Sequence, residues 1–227
     1  MLRYMLVEGG DPKTYLLSFL FCLPVMLLSL SLHESAHGFI AYKCGDSTAH
    51  NFGRITLNPL KHLDPMGFLC MALVGFGWAK PVPVNSRLFN NHRRGMMLTS
   101  LAGPISNLLL GFFFAVIYRF TAMPLLEAAF AAQIEAMRYI WYSLYLMLFI
   151  AIDLNVTLAL FNLLPIPPLD GSKILFTLLP YKVYYKIMPY EKYITIGFMI
   201  LLLTNVLSPL LNWGSGLIKD LFFLILF

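Results

Sequence analysis

Long apolar runs separated by short polar interruptions predict a chain of membrane-spanning helices. A helix rising 1.5 Å per residue needs about 20 apolar residues to cross a hydrocarbon core. Four stretches reach that length, at about residues 14–42, 95–120, 138–164 and 190–211. The third begins either at Arg138 or already within the alanine-rich segment 124–137. The apolar tail 214–227 is shorter and is interrupted by Lys219 and Asp220, so it reads as an interfacial segment.

Residues 43–94 break this pattern. They are dense in Gly, Pro and Asn, and their apolar centre at 66–78 is too short to cross. Within them, 51–57 and 75–84 read as short strands or loops. Irregular backbone at membrane depth survives only where protein or a water-filled cavity satisfies it. The region therefore predicts a re-entrant or membrane-edge, strand-like element that lines something, and an extended substrate could add to it as a further strand. The fold expectation is an all-α polytopic membrane protein with about four to five transmembrane helices plus this element.

Composition strengthens the picture. Of the 227 residues, 59% are hydrophobic and only 12% charged, with a mean hydropathy of +0.74. Soluble domains carry about 45–50% apolar and about 25% charged residues, so the main solvent of this chain is lipid. Length and the absence of repeats predict one domain over 1–227. Its catalytic core would span about 14–175, followed by a C-terminal helix and tail at 190–227. A net charge of +5 raises the question of nucleic acid, but no dense basic run supports it. Basic residues of membrane proteins collect in cytoplasmic loops instead. If residues 43–94 begin and end in the cytoplasm, 11 of the 16 basic residues lie inside, leaving Arg3, Lys13, Arg119, Arg138 and Lys219 outside. Cys22, Cys44 and Cys70 are odd in number and lack metal-ligand spacing, so they read as buried or membrane thiols. The first apolar stretch is far longer than a signal-peptide core and is expected to stay in the mature protein.

The candidate chemistry lies in His33-Glu34-Ser35-Ala36-His37. Residues four apart stand on one face of a helix, so His33 and His37 can bind one Zn²⁺. Glu34 points about a third of a turn away, placed to act on a water at the metal rather than to bind the ion. Two helix-face histidines satisfied by neighbours would be the bland alternative. That alternative must also explain three ionisable groups within one and a half turns of a membrane helix, where charge is expensive.

A catalytic zinc needs a third protein ligand and an open position. Asp170 is the candidate, at the end of Asn162-Leu163-Leu164-Pro165-Ile166-Pro167-Pro168-Leu169-Asp170-Gly171. The three prolines must end the preceding helix, and Gly171 allows a sharp turn. An ordinary helix-terminal Asp is the competing reading, and depth separates the two. His33 lies roughly 28 Å along its helix, near the far edge of a core about 30 Å thick, and Asp170 likewise follows a full crossing. The two motifs can meet if their helices run in the same direction, which the charge asymmetry independently requires.

With both motifs in hand, the chain resembles the site-2 protease family of intramembrane metalloproteases. Ala102-Gly103-Pro104-Ile105-Ser106-Asn107 is similar to that family's G-P-x-x-N segment. Residues 53–60 and 77–85 look like the connecting region of compact members that lack PDZ or CBS insertions. The resemblance implies hydrolysis of peptide bonds in membrane-spanning substrates, with Zn²⁺ held by His33, His37 and Asp170 and Glu34 as general base and acid. The charge asymmetry and the depth of the two motifs predict a multi-pass cell-membrane protein with the active site near the cytoplasmic side. By the same match Asn162 would position substrate or stabilise the oxyanion, the alternative being a helix–helix hydrogen bond.

Asn107 reads as packing or as support behind the ligands. Asp153 reads as lining a water path or pairing with a base, and His62 as lying near the mouth of the site. His50 and His92 read as solvated loop residues. A zinc transporter or sensor could use the same three ligands, but it has no need of Glu at the second position of the motif.

Overall fold

The computed structural model describes residues 12–74, 77–204 and 206–226. Nine α-helices occur among them: α1 (Pro12–Lys43), α2 (Thr48–Asn51), α3 (Pro65–Val74), α4 (His92–Ala131), α5 (Glu135–Leu163), α6 (Asp170–Leu178), α7 (Tyr181–Ile187), α8 (Glu191–Leu203) and α9 (Ser208–Leu226). Four helices are long and apolar enough to cross a bilayer, at Leu20–Lys43, His92–Ala131, Glu135–Leu163 and Ser208–Leu226. The chain is a multi-pass, all-α membrane protein.

Two of the expected boundaries move. Segment 124–131 belongs to α4, which runs on for 40 residues, about 60 Å. The last span shifts from 190–211 to 208–226. Helix α8 has only 13 residues, about 20 Å, and cannot cross. A new helix starts at Ser208-Pro209, because proline fits the first turn of a helix, where its missing N–H is not needed. The tail is thus part of a span-length helix rather than a separate interfacial segment. Lys219 within it forms an ion pair with Asp153 of α5, the base partner anticipated for that residue. The placement of Arg3, and of Phe227 at the end of the tail, lies outside the described residues.

Small residues decide how the spans meet. Ala151, Asn155, Val156 and Ala159 of α5 are fully buried, as is Ala115 of α4. A Cβ on Gly111 would already stand 3.3 Å from the Asn155 Cβ. Without a hydrophobic drive between helices in lipid, such small residues permit the close approach that van der Waals packing needs. Tyr118, Leu160, Phe222 and Phe223 close over Ala115, Ile152 and Val156, tying α9 to α4 and α5. The opposite faces stay apolar and exposed, for example Leu109, Phe113 and Phe120, as lipid-facing residues should be.

Residues 43–94 contain no strand among the described residues, the looser of the two expectations; of the segment 75–84, residues 75 and 76 fall outside them. A single antiparallel bridge joins Leu63 to Ala79. The region satisfies its backbone locally instead. Asn58 and Asn85 accept from backbone N–H groups two residues on, and Gly45 and Gly53 take positive φ at tight turns. Two side chains staple the loops together. Arg54 donates to the carbonyls of Lys80 and Pro81 at 2.7 and 3.2 Å. Fully buried Asp46 accepts from the backbone N–H groups of Thr48 and Asn85 at 2.9 and 2.6 Å and from the Thr48 hydroxyl at 2.5 Å.

Burial alone would raise the Asp46 pKa, but these three hydrogen bonds outweigh it and hold the carboxyl below the usual carboxylate range. Its contribution is therefore fully present above about pH 4, where an unfolded Asp is ionised, and is lost as pH falls below that. Asp46→Asn is expected to cost about 1–3 kcal/mol at neutral pH, because one backbone donor loses its acceptor. Unfolding curves in detergent should show the gap between wild type and variant narrowing below about pH 4.

Candidate metal centre

The two histidines of α1 and the carboxylate that opens α6 converge. His33 Nε2 and His37 Nε2 lie 3.0 Å apart, and Asp170 Oδ2 lies 3.2 and 3.0 Å from them. Their relative exposures are only 5, 8 and 6%. This is the one group of three His, Cys, Asp or Glu residues among those described whose donor atoms could share a metal ion.

Two of the three ligand candidates, His37 and Asp170, are oriented by a second contact, whereas the buried His33 Nδ1 has no hydrogen-bond partner. The His37 Nδ1–H donates to the Thr99 carbonyl of α4 at 2.6 Å, which leaves the Nε2 lone pair facing inward. The Asp170 carboxylate is divided between its oxygens, Oδ1 accepting from Lys173 Nζ at 3.0 Å while Oδ2 faces the imidazoles. Burial works against the Asp170 charge. The contacts with the His33 and His37 rings and the ammonium of Lys173 prevail, keeping the group well below the usual carboxylate range.

Local chain chemistry puts Asp170 there. Helix α5 stops before Pro165, and short turns carry the chain through Ile166 N–H to the Leu164 carbonyl and Leu169 N–H to the Ile166 carbonyl. The backbone of Gly171 then presses against the carbonyls of Leu163 and Leu164, which leaves no room for any side chain. Gly103 of α4 plays the matching role beside the histidines. A Cβ on it would sit 2.5 Å from the Nε2 atoms of both His33 and His37.

The arrangement fits zinc. Two imidazoles and a carboxylate form one of its common donor sets. Donor atoms around a tetrahedral ion at about 2.0–2.1 Å stand about 3.3–3.4 Å apart, so the observed triangle needs to open by only a few tenths of an ångström. A single proton cannot satisfy two inward nitrogen lone pairs and a carboxylate oxygen at these distances. One cation can.

Glu34 and Asn162 face the same cavity of about 620 Å³ as the three ligand candidates. Glu34 Oε2 accepts from the Val82 backbone N–H at 2.8 Å, so the membrane-edge segment aims it. Asn162 donates to Leu158 O of its own helix at 2.9 Å. Asn107, buried to 1% exposure on α4, reaches the cavity with neither amide atom hydrogen-bonded. His62 lies apart. It is buried in a smaller void under the loop, with Nε2 2.8 Å from the Thr56 carbonyl and 3.4 Å from the Ser35 hydroxyl. His50 and His92 are exposed, as expected, but stand on helices rather than loops, His50 in α2 and His92 at the start of α4, and His50 also stacks on Tyr42.

Lys173, Thr99 and Val82 were not singled out by sequence. Only Lys173 carried a signal, since it stands three residues after Asp170 at the start of a helix.

The sequence model of Peptidase family M50 matches residues 21–204. A Bacillus subtilis protein, the candidate zinc metalloprotease YwhC, is 45% identical over 204 residues, covering 87% of this chain and 88% of the relative. Two relatives named as candidate zinc metalloproteases Rip2, from Mycolicibacterium smegmatis and Mycobacterium tuberculosis, are each 31% identical. They cover 96 and 97% of this chain and 78 and 80% of their own lengths. No solved structure matches the chain. The match across most of the sequence, the span-length helices and the buried His-His-Asp cluster lead to one conclusion: the chain belongs to peptidase family M50, the site-2 protease family.

Proposed function

We propose that this membrane-embedded zinc metalloprotease is an endopeptidase that cuts membrane-spanning substrates, with His33, His37 and Asp170 as zinc ligands and Glu34 as general base and acid. The observation that carries the reading is the meeting of those three donor atoms within 3.2 Å beside a cavity that Glu34 also lines. When bound, zinc would lower the pKa of a water to about 7 and polarise the scissile carbonyl.

The protein groups supply the rest. Glu34, held by the Val82 N–H, takes the proton of the attacking water and delivers it to the leaving amine. The second Asn162 amide proton, not engaged with Leu158, is available to a substrate carbonyl or developing oxyanion. The basic residues cluster with the loop 43–94 and with residues 173–192, which supports a site opening toward the cytoplasm. Water entering from that side would meet the ligands without crossing the bilayer. The residues assigned here lie within 14–175 and form one catalytic unit.

Protein reconstituted in vesicles with a single-span membrane peptide should cut it. Cleavage should stop on addition of a strong zinc chelator and return when zinc is restored. Cleavage that ignores chelation, or none at all from zinc-loaded protein across a panel of such peptides, would overturn the proposal.

A further inference from the structure

We propose a second binding site, outside the cavity that holds the metal centre: the concavity framed by Arg54, Lys61 and Lys80 takes the phosphate headgroup of an anionic phospholipid. The concavity has a volume of about 520 Å³, and no carboxylate lines it. None of the three cations belongs to an ion pair among the described residues.

Arg54 is the informative member. It is only 8% exposed, its Nε has no hydrogen-bond partner, and its terminal nitrogen is spent on two carbonyls. Burying a full charge against carbonyl dipoles alone is costly. An anion in the adjoining concavity would offset that cost. Lys61 holds its ammonium over the turn at Gly53, 3.3 Å from where a Cβ would lie.

The rim identifies the source of the anion. Phe52 and Leu60 beside the cations are 68 and 79% exposed, and Leu63 completes the apolar side. The loop that carries them joins the end of α1 to the start of α4, so it lies where two spans leave the membrane. Large exposed apolar side chains next to cations match the boundary between acyl chains and headgroups. A free phosphate would use the cations and leave the rim idle; a phospholipid uses both.

The site also has a physical link to the metal centre. Arg54 grips the carbonyls of Lys80 and Pro81, and the next N–H, that of Val82, holds Glu34. A bound headgroup would stiffen the segment that aims the carboxylate.

The test is lipid retention. Full-length protein is equilibrated with mixed phosphatidylglycerol and phosphatidylcholine, washed in detergent, and its bound lipid measured by native mass spectrometry. Wild type should retain phosphatidylglycerol about tenfold over phosphatidylcholine. The double variant Lys61→Gln/Lys80→Gln should lose that preference while melting at the same temperature in phosphatidylcholine. Equal retention of both lipids by wild type, or an unchanged preference in the double variant, overturns the proposal. Displacement of the bound lipid by millimolar inorganic phosphate also overturns it, since the site would then be one for a soluble anion.

Discussion

A Glu34→Gln protein should keep its zinc and lose hydrolysis. The amide is nearly isosteric and can still lie beside the Val82 N–H, but it cannot accept the proton of the attacking water. Loss of general acid–base catalysis typically costs about 10²–10⁴-fold in rate. Zinc content should stay at the wild-type level, because Glu34 is not among the three donor atoms that converge. Two measurements on one preparation, metal by elemental analysis and cleavage of a single-span peptide, separate the readings. A zinc transporter or sensor built on the same ligands would pass unharmed through this substitution. Undiminished cleavage would remove Glu34 from the mechanism.

The second large effect comes from a residue that carries no functional group. Gly103→Ala places a methyl 2.5 Å from atoms of both imidazoles, closer than real Cβ contacts come. Either the rings turn away from Asp170 or α4 withdraws from α1, taking with it the Thr99 carbonyl that orients His37. Both outcomes spoil the ligand triangle. Disturbing the groups that orient metal ligands typically lowers affinity 10–100-fold, and cleavage should fall at least in proportion at limiting zinc. Gly111→Ala on the same helix is the control. Its Cβ would meet Asn155 at 3.3 Å, a contact that a small adjustment relieves, and zinc binding should remain intact. If Gly103→Ala binds zinc and cuts substrate like wild type, the close packing of α4 against the ligands has no bearing on the site.

Both variants test contacts between distant parts of the chain, and these are what the sequence carried least well. The HExxH spacing is a local statement. Four residues of α-helix bring His33 and His37 onto one face wherever that helix sits. The spans are local too, since about 20 apolar residues suffice to cross a membrane. Asp170 could be paired with His33 across 137 residues only because membrane depth acts as a ruler common to all spans.

Where that ruler is silent, local hydrogen bonds and helix breaks set the outcome. Composition allowed strands or loops at 51–57 and 75–84, and among the described residues loops with a single bridge form there, with Asn caps, Asp46 and Arg54 satisfying the backbone. Hydropathy placed a span at 190–211, whereas the chain breaks ahead of Pro209 and rebuilds the span from 208 to 226.

From its own order of residues the chain thus determined its helical membrane class, the spans' approximate places and the identity of the ligand candidates. Those depend on interactions within a few turns and on a solvent that penalises every unsatisfied backbone group. Tertiary packing alone decided that α4 passes close enough to touch both imidazoles at Gly103, that Val82 rather than another N–H holds Glu34, and that both histidines face the same oxygen of Asp170. These are contacts of about 3 Å between elements far apart in sequence, and no spacing rule along one chain specifies them. They arise from which small residues let which helices approach.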